Sequence, residues 1–403
     1  MYKLNQLIQE LCPNGVEYKK IKDVYKRLKG TPITAAKMKE IENPDGEIKI
    51  FAGGKTVIDA AEDDIPNANI TRVPAVLVQS RGVIDAIYYD KPFTFKNEMW
   101  AYTADEKLSV KFLYYVLKNN MEYFRTTASG MGSMPQISLS VTEEFTIPVP
   151  PLAVQREIVR ILDNFTELTA ELTAEFAARR KQYEYYRDEL LAPISNMQYT
   201  VYTLGDIATV TKLAGFEFTN YVIYSNEGEI IALRGLNVKN GKLDLNDVKY
   251  IDNSDLTKLT RSKLHTGDML FTYVGTIGQV AVIDEDDKYY LAPNVALIRC
   301  DKNIISPEYM RYYFQSSEFW DTQINKLLQS SSMKNIPMGK IRKFKLCIPP
   351  VETQCRIVNI LDRFDALCND ITSGLPAEIE ARKKQYEYYR DKLLSFKSLS
   401  RNS

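Results

Sequence analysis

The sequence predicts an α+β fold made of two similar halves, each an α+β domain followed by a long helix. Three observations support this prediction. The string RRKQYEYYRDELL at 179–191 returns as RKKQYEYYRDKLL at 382–394 with two substitutions. Apolar residues upstream of each copy recur at steps of three and four, which is typical of a helix with one packing stripe. Short strand-like runs and turn residues fill the remaining sequence.

The composition is that of an ordinary globular protein with no overall charge. The 403 residues are 45% hydrophobic and 26% charged, with 52 basic and 52 acidic side chains. This length predicts two to three domains. A protein that grips nucleic acid by charge alone is usually basic, so any such surface here must be local or shared with a partner.

The cysteines and the apolar runs indicate a cytoplasmic protein without a structural metal. The five cysteines include no C-x-x-C pair, which argues against a disulfide framework and against a zinc site. A reducing compartment fits this pattern. The first residues have no signal-peptide core, and no apolar run approaches the roughly 20 residues that cross a bilayer. We therefore expect no membrane contact.

The internal repeat extends well beyond the 13-residue string. PPLAVQREIVRILDNF at 150–165 aligns with PPVETQCRIVNILDRF at 349–364, and SMPQISLSVTEEFTIPVPP aligns with SMKNIPMGKIRKFKLCIPP. Further upstream, SVKFLYYVLKNN resembles SPEYMRYYFQSS. The predicted domains are therefore two variable modules, 1–147 and 196–346, and two near-constant helical segments, 148–195 and 347–403. The constant segments should meet the same partner twice, and the variable modules should meet two different targets.

The helix of each constant segment follows a Pro-Pro pair, which can start a helix but not continue one. A 40-residue helix is about 60 Å long, which suits a coiled-coil spacer. Gly and Pro in SGLP (Ser373–Pro376) should kink or break the second helix. Two interpretations of the stripes stay open, namely helices that pack on each other as a spacer and a structural coiled coil with no spacing role. The proposed stripe and partner surface comprise Ile158, Ile161, Phe165, Leu172, Tyr183, Tyr186, Ile357, Ile360, Phe364, Ile379, Tyr386 and Tyr389.

The Tyr-rich end of each segment also has two interpretations. The charged residues of KQYEYYRD are spaced to form i,i+3 and i,i+4 pairs on a solvated face. The near identity of the two copies, beside neighbours that diverged, instead favours a common partner surface.

The variable modules read as mixed α and β structure. Strand-like runs include RVPAVLVQS, VIDAIYYD, DMLFTYVGTIGQVAVID and NVALIRC, and Asn240-Gly241 is typical of a tight hairpin turn. Short amphipathic helices are expected in SVKFLYYVLKNNMEYF and SPEYMRYYFQSSEFW.

The sequence offers little for catalysis. His265 is the single histidine, and it lies in a turn without a nucleophile motif nearby. GGKT at 53–56 resembles the end of a phosphate loop, but Lys49 stands where the earlier glycine is required. We find no dinucleotide fingerprint and no metal cluster, and we therefore expect a chain that is not a catalyst by itself.

The constant segments resemble those of the specificity subunit of type I restriction-modification systems. The motif PP-x-x-x-Q followed by I-V-x-I-L-D-x-F and LPAEIEARKKQYEYYRDKLL carries the resemblance, and LCPNGVEYKKI, FTIPVPP and FKLCIPP add to it. TELTAELTAEF is similar to the central spacer of the subgroup with tetrapeptide repeats. The resemblance covers both constant segments closely, whereas the variable modules match only in layout.

The resemblance implies a division of labour. The variable modules would be target recognition domains, each reading one half of a bipartite site on double-stranded DNA. The helices would form an antiparallel coiled coil that sets the spacing and docks two methyltransferase subunits. Motor-nuclease subunits would join for restriction. S-adenosylmethionine, ATP and magnesium would belong to these partners, and no cofactor is expected in this chain.

Base contacts would then come from polar and basic residues of the recognition domains. For each residue alone, a solvated loop side chain or a phosphate contact is the alternative. The paired loops SGMGSMPQ and SSSMKNIP are favoured because the repeat places them alike. The candidates are Lys55, Arg72, Ser80, Arg81, Ser133 and Gln136 in the first module, and Arg234, Asn237, Lys239, Tyr273, Thr276, Lys334 and Asn335 in the second.

Two other functions compete with DNA specificity. One is a coiled-coil scaffold that assembles two protein partners without reading DNA, in which case the complex would protect no particular DNA sequence. The other is a stand-alone DNA-modifying enzyme, against which the missing motifs argue.

Overall fold

The computed structural model describes residues 2–54, 56–129, 134–193, 198–213, 215–329, 335–369 and 374–399. Contacts between residues divide the chain into unit 1, which is Met1–Thr173 with Ile379–Ser403, and unit 2, which is Ala174–Glu378. Each unit mixes helices and sheets, so the predicted α+β class is confirmed. The boundary between the units at Thr173–Ala174 falls inside a long helix, and the bounds of the four predicted domains remain predictions.

The helices and strands are numbered in chain order. The helices are α1 (Tyr2–Leu11), α2 (Ile21–Val24), α3 (Ala35–Glu40), α4 (Lys107–Asn119), α5 (Met121–Thr127), α6 (Leu139–Glu143), α7 (Leu152–Leu191), α8 (Leu204–Ile207), α9 (Gly215–Tyr221), α10 (Pro307–Tyr313), α11 (Ser317–Phe319), α12 (Asn325–Gln329), α13 (Met338–Ile341), α14 (Val351–Asn369) and α15 (Gly374–Leu394). The strands are β1 (Glu17–Lys20), β2 (Lys26–Leu28), β3 (Ile48–Phe51), β4 (Val57–Ala60), β5 (Ala75–Gln79), β6 (Asp85–Tyr89), β7 (Phe93–Phe95), β8 (Trp100–Thr103), β9 (Thr146–Val149), β10 (Thr200–Thr203), β11 (Ala208–Lys212), β12 (Ile231–Leu233), β13 (Val238–Lys239), β14 (Lys242–Leu243), β15 (Lys249–Tyr250), β16 (Met269–Thr272), β17 (Val280–Val282), β18 (Tyr289–Leu291), β19 (Val295–Cys300) and β20 (Lys345–Ile348).

The sheets of unit 1 pack against separate clusters of buried apolar residues. A four-stranded antiparallel sheet has the order β2-β8-β5-β6, and a three-stranded sheet has the order β4-β3-β7, in which β3 and β7 run parallel. All five residues of β5 are buried, which explains why this strand reads as an unbroken apolar run. One face packs on α4, where Val76 and Val78 join Val110 and Leu113.

Unit 2 repeats this plan with different side chains. Its four-stranded sheet has the order β11-β19-β16-β17, and its three-stranded sheet has the order β15-β12-β18 with β12 and β18 parallel. The β1–β9 pair of unit 1 matches the β10–β20 pair of unit 2. Within unit 2, β13 and β14 form the predicted hairpin, and Asn240 and Gly241 have φ angles of 50° and 84°. Both residues favour left-handed backbone, so the hairpin prediction is confirmed.

The long helices begin where the sequence predicts. Helix α7 starts directly after Pro150-Pro151 and α14 directly after Pro349-Pro350. Helix α7 is continuous over 40 residues. The expected kink at SGLP falls partly on residues 370–373, which lie outside the described residues. Helix α15 begins at Gly374 and holds Pro376 in its first turn, where proline is tolerated.

Within each unit, a segment of α7 packs against a segment of the second helical region. In unit 1 the rings of Phe165 and Tyr389 stack with centroids 5.5 Å apart. In unit 2 the rings of Tyr186 and Phe364 stack with centroids 6.1 Å apart. Further along this pair, Cys368 Sγ lies 3.9 Å from the carbonyl oxygen of Arg179. Because Arg179 lies beside Cys368 and Tyr186 lies beside Phe364, residue numbers rise along α7 as they fall along α14. The helix pair of unit 2 is therefore antiparallel.

None of the described helices is both long enough and apolar enough to cross a membrane.

Candidate functional site

Three loops of unit 1 meet beside its four-stranded sheet. They are the β3–β4 loop, the β5–β6 loop and the segment that leads into α6. The amide of Gly54 donates to the carbonyl of Arg81 at 3.3 Å, and the amide of Gly82 donates to Pro135 at 2.9 Å. These two hydrogen bonds join the loops to one another. The first two loops follow the buried strands β3 and β5, which hold them in place. They surround a cleft of about 790 Å³, called cleft 1 below.

Cleft 1 carries exposed cations beside a methionine. Arg81 is exposed, and its Nε lies 3.2 Å from Met134 Sδ. Lys96 Nζ lies 3.1 Å from Glu98 Oε1 at the wall of the cleft. Lys39 also lines the cleft and is exposed. Cations on a concave surface attract polyanions, and a guanidinium group can also bind guanine through two hydrogen bonds.

Unit 2 builds an equivalent site from equivalent loops. The amide of Ile336 donates to the carbonyl of Tyr273 at 2.9 Å, just as the amide of Ile137 donates to Ser80 at 2.9 Å in unit 1. Val274 pairs with Asn335 in an isolated bridge, as Arg81 pairs with Gln136. The hairpin glycines, Gly82 and Gly275, both have φ of 77°. The two units therefore hold one loop architecture with different side chains.

Cleft 2, about 600 Å³ in volume, is more apolar than cleft 1. Its walls include Phe218 and Tyr224, whose ring centroids are 5.7 Å apart, together with the exposed Leu236. Arg234 and Lys239 also line it. Apolar walls with a few cations suit contacts to base methyl groups and to phosphates together.

The cations of cleft 2 are already paired with carboxylates. Arg234 Nη2 lies 2.9 Å from Asp247 Oδ1, and Lys239 Nζ lies 2.6 Å from Asp244 Oδ2. The hydrogen bond from Lys239 holds the pKa of Asp244 below its usual range. A phosphate that approached these cations would have to share them or displace the carboxylates.

The predicted DNA contacts differ in exposure. Arg72, Arg81, Gln136, Lys239 and Thr276 are exposed, Arg234, Tyr273 and Asn335 are half-buried, and Ser80 and Asn237 are buried. Lys55, Ser133 and Lys334 lie outside the described residues. Arg81 lines cleft 1, and Arg234, Lys239 and Thr276 line cleft 2. Arg72 instead pairs with Glu62 at 2.5 Å, away from the lining of cleft 1.

Two candidates have internal roles in this structure. Asn237 is fully buried, where its Oδ1 accepts from the amide of Arg234 at 3.1 Å and its Nδ2 donates to the carbonyls of Asp244 and Asp247. Ser80 is 2% exposed and donates to the carbonyl of Glu98. Side chains used in this way shape the loops and present no free group to a base edge. Their contact with DNA remains a prediction that needs a rearranged loop.

Sequence reasoning missed several residues that line the clefts. Lys39 and Lys96 line cleft 1, and Phe218, Tyr224 and Asn294 line cleft 2. Lys96 follows β7, which reaches the cleft through its parallel pairing with β3 more than 40 positions earlier. Nothing local in the sequence signals that pairing. The aromatic run FEFTNYVIY was the one local signal for cleft 2.

The predicted helix surface is only partly covered. Ile158, Tyr183, Ile357 and Ile379 are buried. The half-buried members are Ile161, Phe165, Leu172, Tyr386 and Tyr389, and the exposed members are Tyr186, Ile360 and Phe364. Exposed aromatic and aliphatic groups on a helix pair are available to a partner.

The described residues hold no group of three side chains that could bind a metal ion. His265 instead belongs to a charged turn, where its Nδ1 lies 3.0 Å from Arg299 Nη2. Arg299 donates to both oxygens of Asp268 at 2.7 and 2.6 Å. Its contacts give this histidine a structural role in the turn before β16.

The sequence matches a known family over most of its length. The family model described as type I restriction modification DNA specificity domain matches residues 13–178 and 196–381. A chain of Haemophilus influenzae described as a type I restriction enzyme specificity subunit is 33% identical over 314 residues, which cover 75% of this chain and 77% of that one. A type I restriction enzyme specificity subunit of Escherichia coli is 34% identical over 304 residues, covering 72% of each chain.

Two solved structures share the fold at low sequence identity. The S subunit of a type I restriction-modification system from M. genitalium superimposes with a TM-score of 0.55 at 16% identity, covering 94% of this chain and 95% of that one. A chain from a structure of the assembly and conformational transition of the type I R-M system gives a TM-score of 0.58 at 15% identity, covering 95% and 98%.

Proposed function

The chain belongs to the family of type I restriction-modification specificity subunits, and from that premise we propose that each unit reads one half of a bipartite site on double-stranded DNA. The observation that carries this proposal is the repeated site. Cleft 1 and cleft 2 are formed by equivalent loops, joined by equivalent backbone hydrogen bonds, but lined by different side chains. One architecture with two linings is what two different half-sites require.

The chemistry of the linings supports a split between positioning and reading. Arg81, Lys39 and Lys96 give cleft 1 cations for phosphates and for guanine edges. Cleft 2 offers Arg234 and Lys239 beside apolar walls. Because the chain has no net charge, we expect a partner subunit to supply part of the contacts to the DNA phosphates.

Helix α7 supports a role in spacing. A continuous helix of 40 residues measures about 60 Å, which is longer than one turn of B-DNA at about 34–36 Å. Its residues belong to both units, so its length limits how the two half-sites can be separated. We also propose that the chain belongs to the subgroup whose spacer carries tetrapeptide repeats, because TELTAELTAEF lies within α7.

Exposed tyrosines support the docking of two identical methyltransferase subunits. Tyr185 and Tyr388 occupy equivalent positions of the 13-residue repeat and are 60% and 61% exposed. Large aromatic side chains are frequent energetic centres of protein interfaces. Two identical exposed strings therefore suit two copies of one partner. In the full complex, motor-nuclease subunits would join, and S-adenosylmethionine, ATP and magnesium would be bound by partners while this chain contributes no catalytic group.

The proposal is tested by selection of bound DNA. The chain, assembled with its companion methyltransferase subunit, would be mixed with a library of random duplexes, and retained molecules would be sequenced. We expect two short sequence blocks at one fixed separation. Retention without any enriched sequence, by a complex shown to contain both subunits, would instead support a scaffold that joins two partners without reading DNA.

A further inference from the structure

Unit 2 contains a small polar cavity that is separate from cleft 2. Its volume is about 180 Å³, and it lies between the last turns of α7, the turn at Asn240-Gly241 and the end of α10. Three charged residues of α7 line it, namely Arg180, Glu184 and Arg187. The cavity is not one of the two clefts proposed to read DNA, although its α7 residues belong to the 13-residue string proposed above to dock a partner.

Two of the residues that line this cavity carry a buried polar atom without a hydrogen-bond partner among the described residues. These atoms are the hydroxyl of Tyr183, a residue that is 5% exposed, and the Nε2 amide of Gln315. The neighbouring amide of Gln279 is already engaged, because its Oε1 accepts from the backbone of Asn240 at 2.9 Å. A buried donor without an acceptor destabilises the fold, so a group that supplied acceptors here would bind favourably.

The equivalent place in unit 1 satisfies its own polar groups. The repeat aligns Gln315 with Lys118, and the hairpin pairing aligns Gln279 with Asp85. Lys118 Nζ lies 2.7 Å from Asp85 Oδ1, so an internal ion pair occupies the position. Unit 2 has glutamines in place of both charged residues. The Nε2 amide of Gln315 has no acceptor among the described residues.

The lining of the cavity selects the charge of an occupant. Two guanidinium groups and one carboxylate line the cavity; Arg180 Nε lies 3.3 Å from Glu184 Oε1, and Arg187 adds a further positive charge. Asp188, which accepts from Arg187 at 2.9 and 2.8 Å, does not line the cavity. Burial raises the pKa of the Tyr183 phenol, which therefore stays protonated and can donate. The positive charge of Arg187 at the cavity wall and the protonated Tyr183 hydroxyl favour an anion that accepts hydrogen bonds.

We propose that this cavity binds a small oxyanion, a carboxylate or a phosphate, through Tyr183, Gln315 and the flanking arginines. The cavity volume of about 180 Å³ admits one such small group. The anion is either a free small acid or the acidic side chain of a bound protein, and both sources share the same recognition chemistry.

Titration of the full chain with sodium acetate and with inorganic phosphate, at constant ionic strength in chloride, tests the proposal. We expect saturable binding with one site per chain. Tyr183→Phe and Gln315→Met, which remove one donor each while keeping the shape, should weaken binding by roughly ten- to a hundredfold. Tyr386→Phe is the matched control, because Tyr386 is the repeat equivalent of Tyr183 in unit 1, and binding should not change.

Thermal unfolding of the same variants gives a second readout. Without added anion, Gln315→Met should be at least as stable as the parent, because it removes an unsatisfied donor. With anion, the parent and Tyr386→Phe should gain stability equally, and Tyr183→Phe and Gln315→Met should gain less. Anion binding that is absent, or that both variants retain at full strength, overturns the proposal. Binding that is lost when the companion methyltransferase subunit docks identifies a side chain as the occupant, whereas binding that persists identifies a free anion.

Discussion

Two glutamines, Gln155 and Gln354, occupy equivalent positions of the repeat in the first turn of α7 and α14. They differ in the number of hydrogen bonds that their side chains make. Gln354 is fully buried, accepts from the amide of Ser306 at 2.9 Å and donates to the carbonyls of Ile304 and Pro349 at 2.8 and 2.9 Å. Gln155 donates to Pro150 at 2.8 Å, but its Oε1 has no partner among the described residues. The same residue therefore contributes more to stability in the second copy.

Replacing each glutamine by leucine should reveal this difference. Gln354→Leu removes the partner of the Ser306 amide and of the Ile304 and Pro349 carbonyls, whereas Gln155→Leu removes that of the Pro150 carbonyl. Gln354→Leu should therefore lose roughly 1–3 kcal/mol more unfolding free energy than Gln155→Leu. Urea unfolding of the two variants measures the difference. Equal losses would show that the glutamines act through packing alone.

A single arginine should dominate recognition at cleft 1. Arg81→Ala should weaken binding to the cognate duplex by about ten- to a hundredfold, because Arg81 is the exposed arginine that lines the cleft. Arg356→Ala is the matched control, since it removes the same charge from a side chain that is 73% exposed on α14 and lines neither cleft. Fluorescence anisotropy with both variants in the methyltransferase complex gives the comparison. If Arg81→Ala and Arg356→Ala bound the duplex with equal affinity, Arg81 would not be a DNA contact.

One surface carboxylate predicts an acid-dependent contribution to stability. Glu144 accepts from Lys20 and Lys22, and these hydrogen bonds lower its pKa to about 2. A carboxyl group with a lowered folded-state pKa stabilises the fold above its unfolded value of 4.5, and this contribution disappears as the pH falls toward 2. Glu144→Gln should therefore lose less stability than the parent between pH 4.5 and 2. If the parent and Glu144→Gln lost stability equally between pH 4.5 and 2, the lowered pKa of Glu144 would be contradicted.

At the scale of elements, the middle of α7 is open to solvent. Between Leu162 and Tyr183, both buried, every residue of the helix is half-buried or exposed, and Leu168 in the tetrapeptide repeat is 45% exposed. The two ends of the helix belong to the cores of unit 1 and unit 2. The length of the middle can therefore change without loss of core packing.

Insertion of one further Thr-Ala-Glu-Leu repeat after Leu172 should lengthen the unread gap of the DNA target. Four residues add about 6 Å of helix, which equals about one to two base pairs at roughly 3.4 Å each. Selection of bound DNA measures the gap. Insertion of two residues is the control, because it turns the rest of the helix by about 200° and should abolish specific binding. A four-residue insertion that left the gap unchanged would refute the spacing role.

The elements divide into those that local sequence predicts and those that it does not. The Pro-Pro starts of α7 and α14 and the turn at Asn240-Gly241 follow from local backbone preferences, so sequence reasoning found them. The parallel pairing of β12 with β18 joins residues more than 50 positions apart, and nothing local encodes it. The burial of Asn237 was also missed, although the backbone groups that its side chain bonds all lie within 10 positions of it.

At the scale of the whole molecule, the two units share sheet order and loop pairing while their cleft linings differ. Exchange of residues 1–147 with residues 196–346 should therefore reverse the order of the half-sites and keep the sequence of each. The exchanged chain, assembled with the methyltransferase subunit, can be compared with the parent by DNA selection. An unchanged target order would contradict modular reading.

The central claim is that this chain directs a methyltransferase to a split DNA target, and methylation itself tests it most directly. The chain and its companion methyltransferase subunit would be expressed together, and methylated bases would be mapped across the host genome. We expect a new motif of two short half-sites around one fixed unread gap. No new methylation, from a companion that is assembled with this chain and active with another specificity subunit, would contradict the claim.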